Sequence, residues 1–338
     1  MPNIILAISD IQKRKNGTGN APLKDYERLS NISGATIEYA LKHNDKPAAF
    51  RTIEKATALD LYQAIKIIKS HKNVDIIISF SEKIGIPISI FLKKHKNPVK
   101  HVMIAHKLDT KAKEILDKCF SWNKKIDKLL VICSSQLQKA KYFCGNRAEL
   151  ILAGVTDDEY FIPNKSETSN YVLSVGKENR DYNTLSIAAR DINAQIKILA
   201  DSPWARKNTN YTNLQISNNI EYLQRADYNK LLKLYQNAVC IVLPLNDASY
   251  AAGHNGLLES MCVGKATIVS NSKGISDYTN NDKAVIRVGI GDSSAIACQV
   301  NKIIENKDKR IEIEREARAY IENHLKQEQY CKKLQKIA

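Results

Sequence analysis

Several features are scarce or missing in this 338-residue chain. No apolar run approaches the roughly 20 residues needed to cross a bilayer. The opening MPNIILAISD turns polar too early for a signal peptide, and IILAI reads as a first buried strand. The seven cysteines, at 119, 133, 144, 240, 262, 298 and 331, show no C-x-x-C and no paired spacing. That argues against a disulfide framework or a zinc site and predicts small, reduced core residues in a cytoplasmic protein. No D-x-D follows an apolar run; the acidic DDE at 157–159 lies elsewhere. Divalent cations bound through hard oxygen ligands usually need such a pair, so neither metal nor cofactor is expected. Serine-elbow, zinc-helix and P-loop motifs are also missing.

Positive charge is plentiful and unevenly placed. The net charge is +15, and residues 1–150 carry 27 Lys/Arg against 14 Asp/Glu. FLKKHKNPVKH (91–101), KRK at 13–15 and KK at 124–125 are the densest pieces. Such a field attracts an anionic membrane surface, a phosphorylated acceptor or nucleic acid; a plain solvated basic face fits equally. Aromatics are not interleaved with the basic residues as single-strand stacking requires, so nucleic acid rests on charge alone.

The first half alternates apolar runs with helical spacing. Strands are expected at 4–8, 74–80, 99–106 and 128–135, with helices at 56–71, 86–95, 111–126 and 136–145. After the polar NKSETSN the rhythm restarts at YVLSVG (171–176), with a long closing helix over 309–337. Uninterrupted apolar strands between helices predict parallel sheets covered on both faces. The fold class is therefore α/β: two doubly wound, Rossmann-like domains joined by one linker, with ligands at the carboxyl ends of the strands and in the cleft between domains.

One stretch carries chemistry. CIVLPL (240–245) leads into YAAGHNGLLESMCVGKATIVSN (250–271). Gly253 and Gly256 permit a sharp turn and close backbone approach. The amides around His254, Asn255, Gly256 and Leu257 open a helix whose dipole favours an anion. Glu259 stands about one turn inside. A carboxylate beside an anion site needs donors, and a ribose diol supplies two, so a nucleoside diphosphate satisfies both features. An ordinary strand–loop–helix crossover accounts for the pattern equally well on spacing alone.

LLESMCVGKATIVS resembles the second half of the two-glutamate signature of the retaining glycosyltransferases of family 4. These have the GT-B architecture, two Rossmann-like domains facing a cleft. The resemblance puts Glu259 at the second glutamate, while Ala251 stands where the first would be, as in a divergent branch. It reaches across most of the chain. SVGKENRDYNTL (174–185) implies Lys177 and Arg180 as diphosphate ligands, Arg180 the better by its guanidinium fork. NIEYLQRADYNK implies base contacts from the backbone near Tyr222 and Leu223. ILAGVTDDEYFIP resembles the interdomain segment, with Thr156 where an Asp is usual. MIAHKLD implies His106 facing the donor sugar, and Gly17 and Gly19 fall where the acceptor-side loop would be. The implied domains are 1–165 on the acceptor side, 171–308 binding the nucleotide sugar, and 309–338 crossing back to the first.

The expectation is a cytoplasmic glycosyltransferase of hexosyltransferase type, in polysaccharide biosynthesis. It would move a sugar from a UDP-linked donor to a carbohydrate or lipid-linked acceptor, with retention and without metal, with peripheral contact to the inner membrane face. His106 and Arg180 are the catalytic candidates. A non-catalytic partner subunit of the same fold and a sugar-nucleotide epimerase remain as alternatives. His43, His71, His95, His101 and His324 lie in polar or basic contexts and carry no expected role.

Overall fold

Strands form where the sequence runs apolar without interruption. The computed structural model describes residues 2–10, 21–92, 98–164, 169–200 and 217–338. Residues divide into two units: one holds Lys24–Ala153 and Glu328–Ala338 with the start of the chain, the other Gly154–Gln327.

The first unit contains β1 (Ile4–Ala7), β2 (Thr36–Glu38), β3 (Ile76–Ser79), β4 (Lys100–Ala105), β5 (Lys128–Val131) and β6 (Ala148–Leu150). They pair in parallel in the order β2-β1-β3-β4-β5-β6. Its helices are α1 (Asp25–Ser33), α2 (Ala48–Thr57), α3 (Leu61–Ser70), α4 (Glu82–Leu92), α5 (Lys111–Phe120) and α6 (Leu137–Cys144). Ile67 of α3 and Ile84, Ile88 and Leu92 of α4 pack with Ile5 and Ile77. Phe143 of α6 and Trp122 pack with Met103, Leu129 and Val131.

Helix α4 starts a turn earlier than expected, at Glu82 instead of 86, and holds Pro87 in its interior. A proline there removes a donor and orphans the carbonyl four residues back. That carbonyl, of Lys83, accepts from the Asp60 amide at 3.0 Å, and Lys83 Nζ meets Asp60 Oδ1 at 3.0 Å. Gly85 lets the helix lie on the sheet: a Cβ would stand 2.4 Å from Met103 Sδ.

The second unit contains β7 (Tyr171–Val175), β8 (Gln195–Leu199), β9 (Ile220–Tyr222), β10 (Cys240–Leu243), β11 (Thr267–Ser270) and β12 (Ile286–Val288). These too are parallel, in the order β12-β11-β10-β7-β8-β9. Its helices are α7 (Tyr182–Ala188), α8 (Tyr228–Asn237), α9 (His254–Cys262), α10 (Ser293–Glu305) and α11 (Lys307–His324); α12 (Gln327–Ile337) follows. Val172, Ile196, Ile198, Val242 and Ile268 anchor its core against Leu185, Ile296 and Val300.

The single closing helix expected over 309–337 is two helices. The chain breaks at Leu325, where φ is −130° and ψ 25°. Non-helical partners hold the break. The Val155 amide donates to the Leu325 carbonyl at 2.8 Å, the Gln327 amide to Asp158 Oδ1 at 3.1 Å, and the Gln327 side chain to the Thr156 carbonyl.

Five cysteines are buried and two, Cys119 and Cys298, are exposed. Burial pushes the Cys144 thiol up to about 11 and those of Cys240, Cys262 and Cys331 to about 12. Among the described residues no helix is long and apolar enough to cross a membrane.

His101 needs correction. It is fully buried on β4, its Nε2 3.0 Å from Ser79 Oγ, and burial drives its pKa down to about 4. Its usual value is about 6.5. Above pH 6.5 the ring is neutral folded or unfolded; as pH falls toward 4 the unfolded chain takes the proton first, so stability is lost through that window. By pH 5 the loss is about 2 kcal/mol. Urea unfolding at pH 7 and pH 5 measures it, and the difference should shrink in His101→Gln; an unchanged difference would refute the assignment.

Candidate functional site

The order of the second sheet reverses at β7. The chain runs outward from β7 to β8 and β9, then returns to β10 on the other side of β7. Ligand crevices of doubly wound sheets open at such a reversal, beyond the carboxyl ends of the strands. Two loops meet there. Gly176, with φ +97°, and Asn179, with φ +57°, turn the chain after β7. Gly253, with φ +90°, turns it into α9 after β10.

The loops are stitched together. The Asp181 amide donates to the Pro244 carbonyl at 2.9 Å and the Asn246 amide to that of Asn179 at 3.1 Å; Arg180 bridges to Leu245. Asp181 then caps α7, accepting from the Thr184 amide at 3.0 Å. Below, Ser270 Oγ accepts from the Leu245 amide at 3.0 Å and Ser272 Oγ from that of Ala248 at 3.1 Å. Gly274 passes so near that a Cβ would stand 1.8 Å from the Tyr250 carbonyl oxygen.

Arg180 lies in a slot made by three residues without side chains. Its Nε donates to the Val175 carbonyl at 2.8 Å and its Nη1 to that of Glu178 at 2.9 Å. A Cβ on Gly176 would come within 2.6 Å of Nη2, one on Gly253 within 3.0 Å of Nη1, and one on Gly256 within 3.5 Å of Nη2. The guanidinium is thereby set against the head of α9, where the first-turn amides have no helical carbonyl to bond. A fixed cation beside a helix N-terminus makes a site for an anion.

Glu259 sits one turn into α9 and is 4% exposed. Its donors are already supplied by the protein: Tyr235 Oη to Oε2 at 3.1 Å and Thr156 Oγ1 to Oε1 at 3.4 Å. Burial, and then the Glu259 charge, push the Tyr235 hydroxyl well above its ordinary value, so it stays a donor. A carboxylate has about four lone-pair sites and can accept from more than two donors. Ala251 is buried and offers only its carbonyl, which accepts from His254 Nδ1 at 2.8 Å. The His254 ring therefore folds back on its own loop, 5.9 Å from the Tyr278 ring.

The second unit thus brings Arg180, Gly253, His254, Asn255, Gly256, Leu257 and Glu259 to one strand edge, with the half-buried Lys177 on the same loop as Arg180. Tyr222 ends the edge strand β9, and the Leu223 amide is committed to the Ile198 carbonyl at 2.9 Å. His106 belongs to the first unit, just past β4; its Nε2 donates to the Phe80 carbonyl at 3.1 Å and its amide to Glu82 at 3.0 Å. Gly17 and Gly19 lie outside the described residues. Among the described residues no group of three or more His, Cys, Asp or Glu side chains gathers as metal ligands would. Tyr235, Ser270, Ser272 and Gly274 were not singled out in the sequence; SNSKG (270–274), starting at the end of β11, was the available signal for the last three.

Residues 155–320 match the family model of glycosyl transferases group 1. These residues form a glycosyltransferase group 1 domain. It contains the whole of the α9 loop and Glu259, and the chain is a glycosyltransferase enzyme. Three solved structures share the two-sheet GT-B fold at low identity. A sucrose-phosphate synthase from Thermosynechococcus elongatus is 12% identical with a TM-score of 0.74, covering 99% of this chain and 98% of that one. A glycosyltransferase from Rickettsia africae ESF-5 is 15% identical with a TM-score of 0.71, covering 99% and 97%. Anabaena HepE in complex with UDP-glucose is 12% identical with a TM-score of 0.74, covering 98% of each chain. No curated protein matches the glycosyltransferase sequence at a meaningful level.

The pairing of Tyr235 with Glu259 can be tested in this enzyme directly. Tyr235→Phe strips a buried carboxylate of a donor and is expected to cost about 1–3 kcal/mol of stability. Thr156→Val, which removes the longer contact, should cost less. Urea denaturation measures both; a Tyr235→Phe cost no larger than that of Thr156→Val would contradict the assignment.

Proposed function

We propose that the protein transfers a sugar from a UDP-linked donor to a hydroxyl acceptor, with the donor nucleotide held at the β7–β10 edge of the second unit. The observation that carries this reading is the Arg180 guanidinium lodged across Gly176, Gly253 and Gly256, against the head of α9. When a glycosidic bond to a diphosphate breaks, negative charge grows on the leaving group. Arg180, Lys177 and the Asn255 and Gly256 amides are the groups that would stabilise it, the Leu257 amide being taken by the Gly253 carbonyl at 3.1 Å. Because Arg180 is already fixed by two backbone carbonyls, it needs no rearrangement to act.

Glu259, held by Tyr235 and Thr156, is assigned the ribose hydroxyls. The carbonyls near Tyr222 and Leu223 are assigned the base, since the Leu223 amide is occupied. His106 is assigned the donor sugar: with Nε2 donating to Phe80, a neutral ring offers Nδ1 as an acceptor for a sugar hydroxyl. Ala251 supplies no carboxylate, so no nucleophile arises there. We therefore favour a same-face route in which the departing diphosphate oxygen receives the acceptor's proton, giving retention without metal, as in a divergent member of family 4. The acceptor is assigned to the carbohydrate or lipid-linked class, within polysaccharide biosynthesis.

Calorimetry with UDP and a panel of UDP-sugars tests the reading. Hydrogen bonds to charged groups are worth about 1.5–3 kcal/mol, so Arg180→Ala should weaken UDP by about tenfold or more. Gly253→Ala, strained by its positive φ and pressed on Nη1, should weaken it as well. UDP affinity left intact by both substitutions would reject this site. Turnover of a UDP-sugar without acceptor consumption, yielding an isomeric UDP-sugar, would favour an epimerase.

A further inference from the structure

The loop that follows β4 begins at the surface, with His106 and Lys107 exposed and Leu108 buried. Its backbone is nevertheless not left to water. Three consecutive amides are taken by side chains from elsewhere in the first unit. Glu82 Oε2 accepts from the His106 amide at 3.0 Å and Glu82 Oε1 from the Lys107 amide at 3.2 Å. Gln136 Oε1 accepts from the Leu108 amide at 2.6 Å. Surface loops are usually among the more mobile parts of a fold; this one is tied at its start.

Glu82 suits the task. It opens α4, where the helix dipole favours a carboxylate, and its side chain is 13% exposed. Lys113 of α5 adds a third donor, Nζ to Oε1 at 3.0 Å, and also donates to the Lys107 carbonyl. Burial opposes the charge, but Lys113, His106 and the His106 amide outweigh it and hold the carboxyl below its usual range. Two residues earlier, the Phe80 carbonyl accepts from His106 Nε2 at 3.1 Å. Phe80 is itself fixed: its amide donates to the Ala7 carbonyl at 3.0 Å, and its ring meets that of Tyr26 edge-on, centres 5.9 Å apart. The short segment 80–82, joining β3 to α4, therefore grips His106 twice, once by the main chain and once by the ring.

We propose that Glu82 is the positioning residue for His106, a step that rests on the donor-sugar role assigned to that histidine. Glu82 acts through the imidazole and not on the sugar: it fixes the backbone from which the ring reaches out, while Phe80 fixes the ring's orientation. Placement of this kind matters because an error of about 1 Å in a reacting geometry costs about a hundredfold in rate. Glutamine could not replace it. An amide side chain offers one oxygen and one nitrogen, and the nitrogen would face a backbone N–H, so one of the two amide bonds must break.

The test follows UDP release by the full-length enzyme from UDP-glucose, UDP-galactose and UDP-N-acetylglucosamine, using Glu82→Gln, His106→Ala and the double variant. Glu82→Gln should lower kcat by about tenfold to a hundredfold. UDP affinity should stay within about twofold, since the nucleotide is assigned to the second unit. In the His106→Ala background the same substitution should change kcat by no more than about twofold, because its effect passes through the ring. Hydrogen exchange at the 106 and 107 amides should quicken by about tenfold or more in Glu82→Gln. Lys113→Met leaves both amide bonds in place and should give a smaller loss of kcat, again only when His106 is present; it carries the comparison if Glu82→Gln melts early. Unchanged kcat or unchanged exchange in Glu82→Gln overturns the proposal. So does a loss of equal size with and without His106, which marks a purely structural role, and so does full activity of His106→Ala. The donor-site reading fails separately, on UDP affinity that survives Arg180→Ala.

Discussion

The second unit is organised around one cation held where no side chain intrudes. Arg180 can lie against the head of α9 because positions 176, 253 and 256 carry only hydrogen at Cα. Two of those positions also need positive φ, which glycine adopts without penalty. A substitution at either would fail twice, once on backbone conformation and once on contact with the guanidinium. The bonds from Arg180 to the Val175 and Glu178 carbonyls turn a flexible side chain into a fixed charge. The stitched loops after β7 and β10, and the serines after β11, are the support that keeps it there.

Glu259 illustrates how a buried carboxylate is tolerated beside such a site. Taken from water without partners, it would be costly. Tyr235 and Thr156 supply two donors from different parts of the unit, α8 and the segment leading into it. Position 156 is threonine where the family resemblance implies an Asp. A hydroxyl there donates to Glu259; a second carboxylate would repel it. The departure from the family pattern is thus locally self-consistent.

Much of this was legible from the sequence, and the exceptions have physical causes. The buried parallel strands announced themselves because both faces are covered, leaving no polar alternation to confuse. The α9 loop was marked by its glycines, and Arg180 was pointed to only by the family resemblance of SVGKENRDYNTL. By contrast, β2 is a three-residue edge strand reading TIE, and α1 buries only Leu29, so neither leaves a strong periodic mark. Helix α2 buries nothing and was missed likewise. The break near Leu325 depends on partners some 170 residues earlier, which no local pattern encodes. His101 looked solvated because basic residues flank it in sequence, whereas β4 is covered on both faces from His101 onward. The donors to Glu259 are long-range contacts, invisible until the chain is folded.

The thiols described above give the molecule a built-in pair of handles. The buried ones are shielded, and Cys144, Cys240, Cys262 and Cys331, with pKa values raised by burial, remain protonated near neutrality, so they react poorly. The two exposed ones fall one to each unit, Cys119 in the first and Cys298 in the second. A thiol-directed probe will therefore mark each body once on the natural chain. Each unit can thus be followed by its own probe, without adding or removing a single residue.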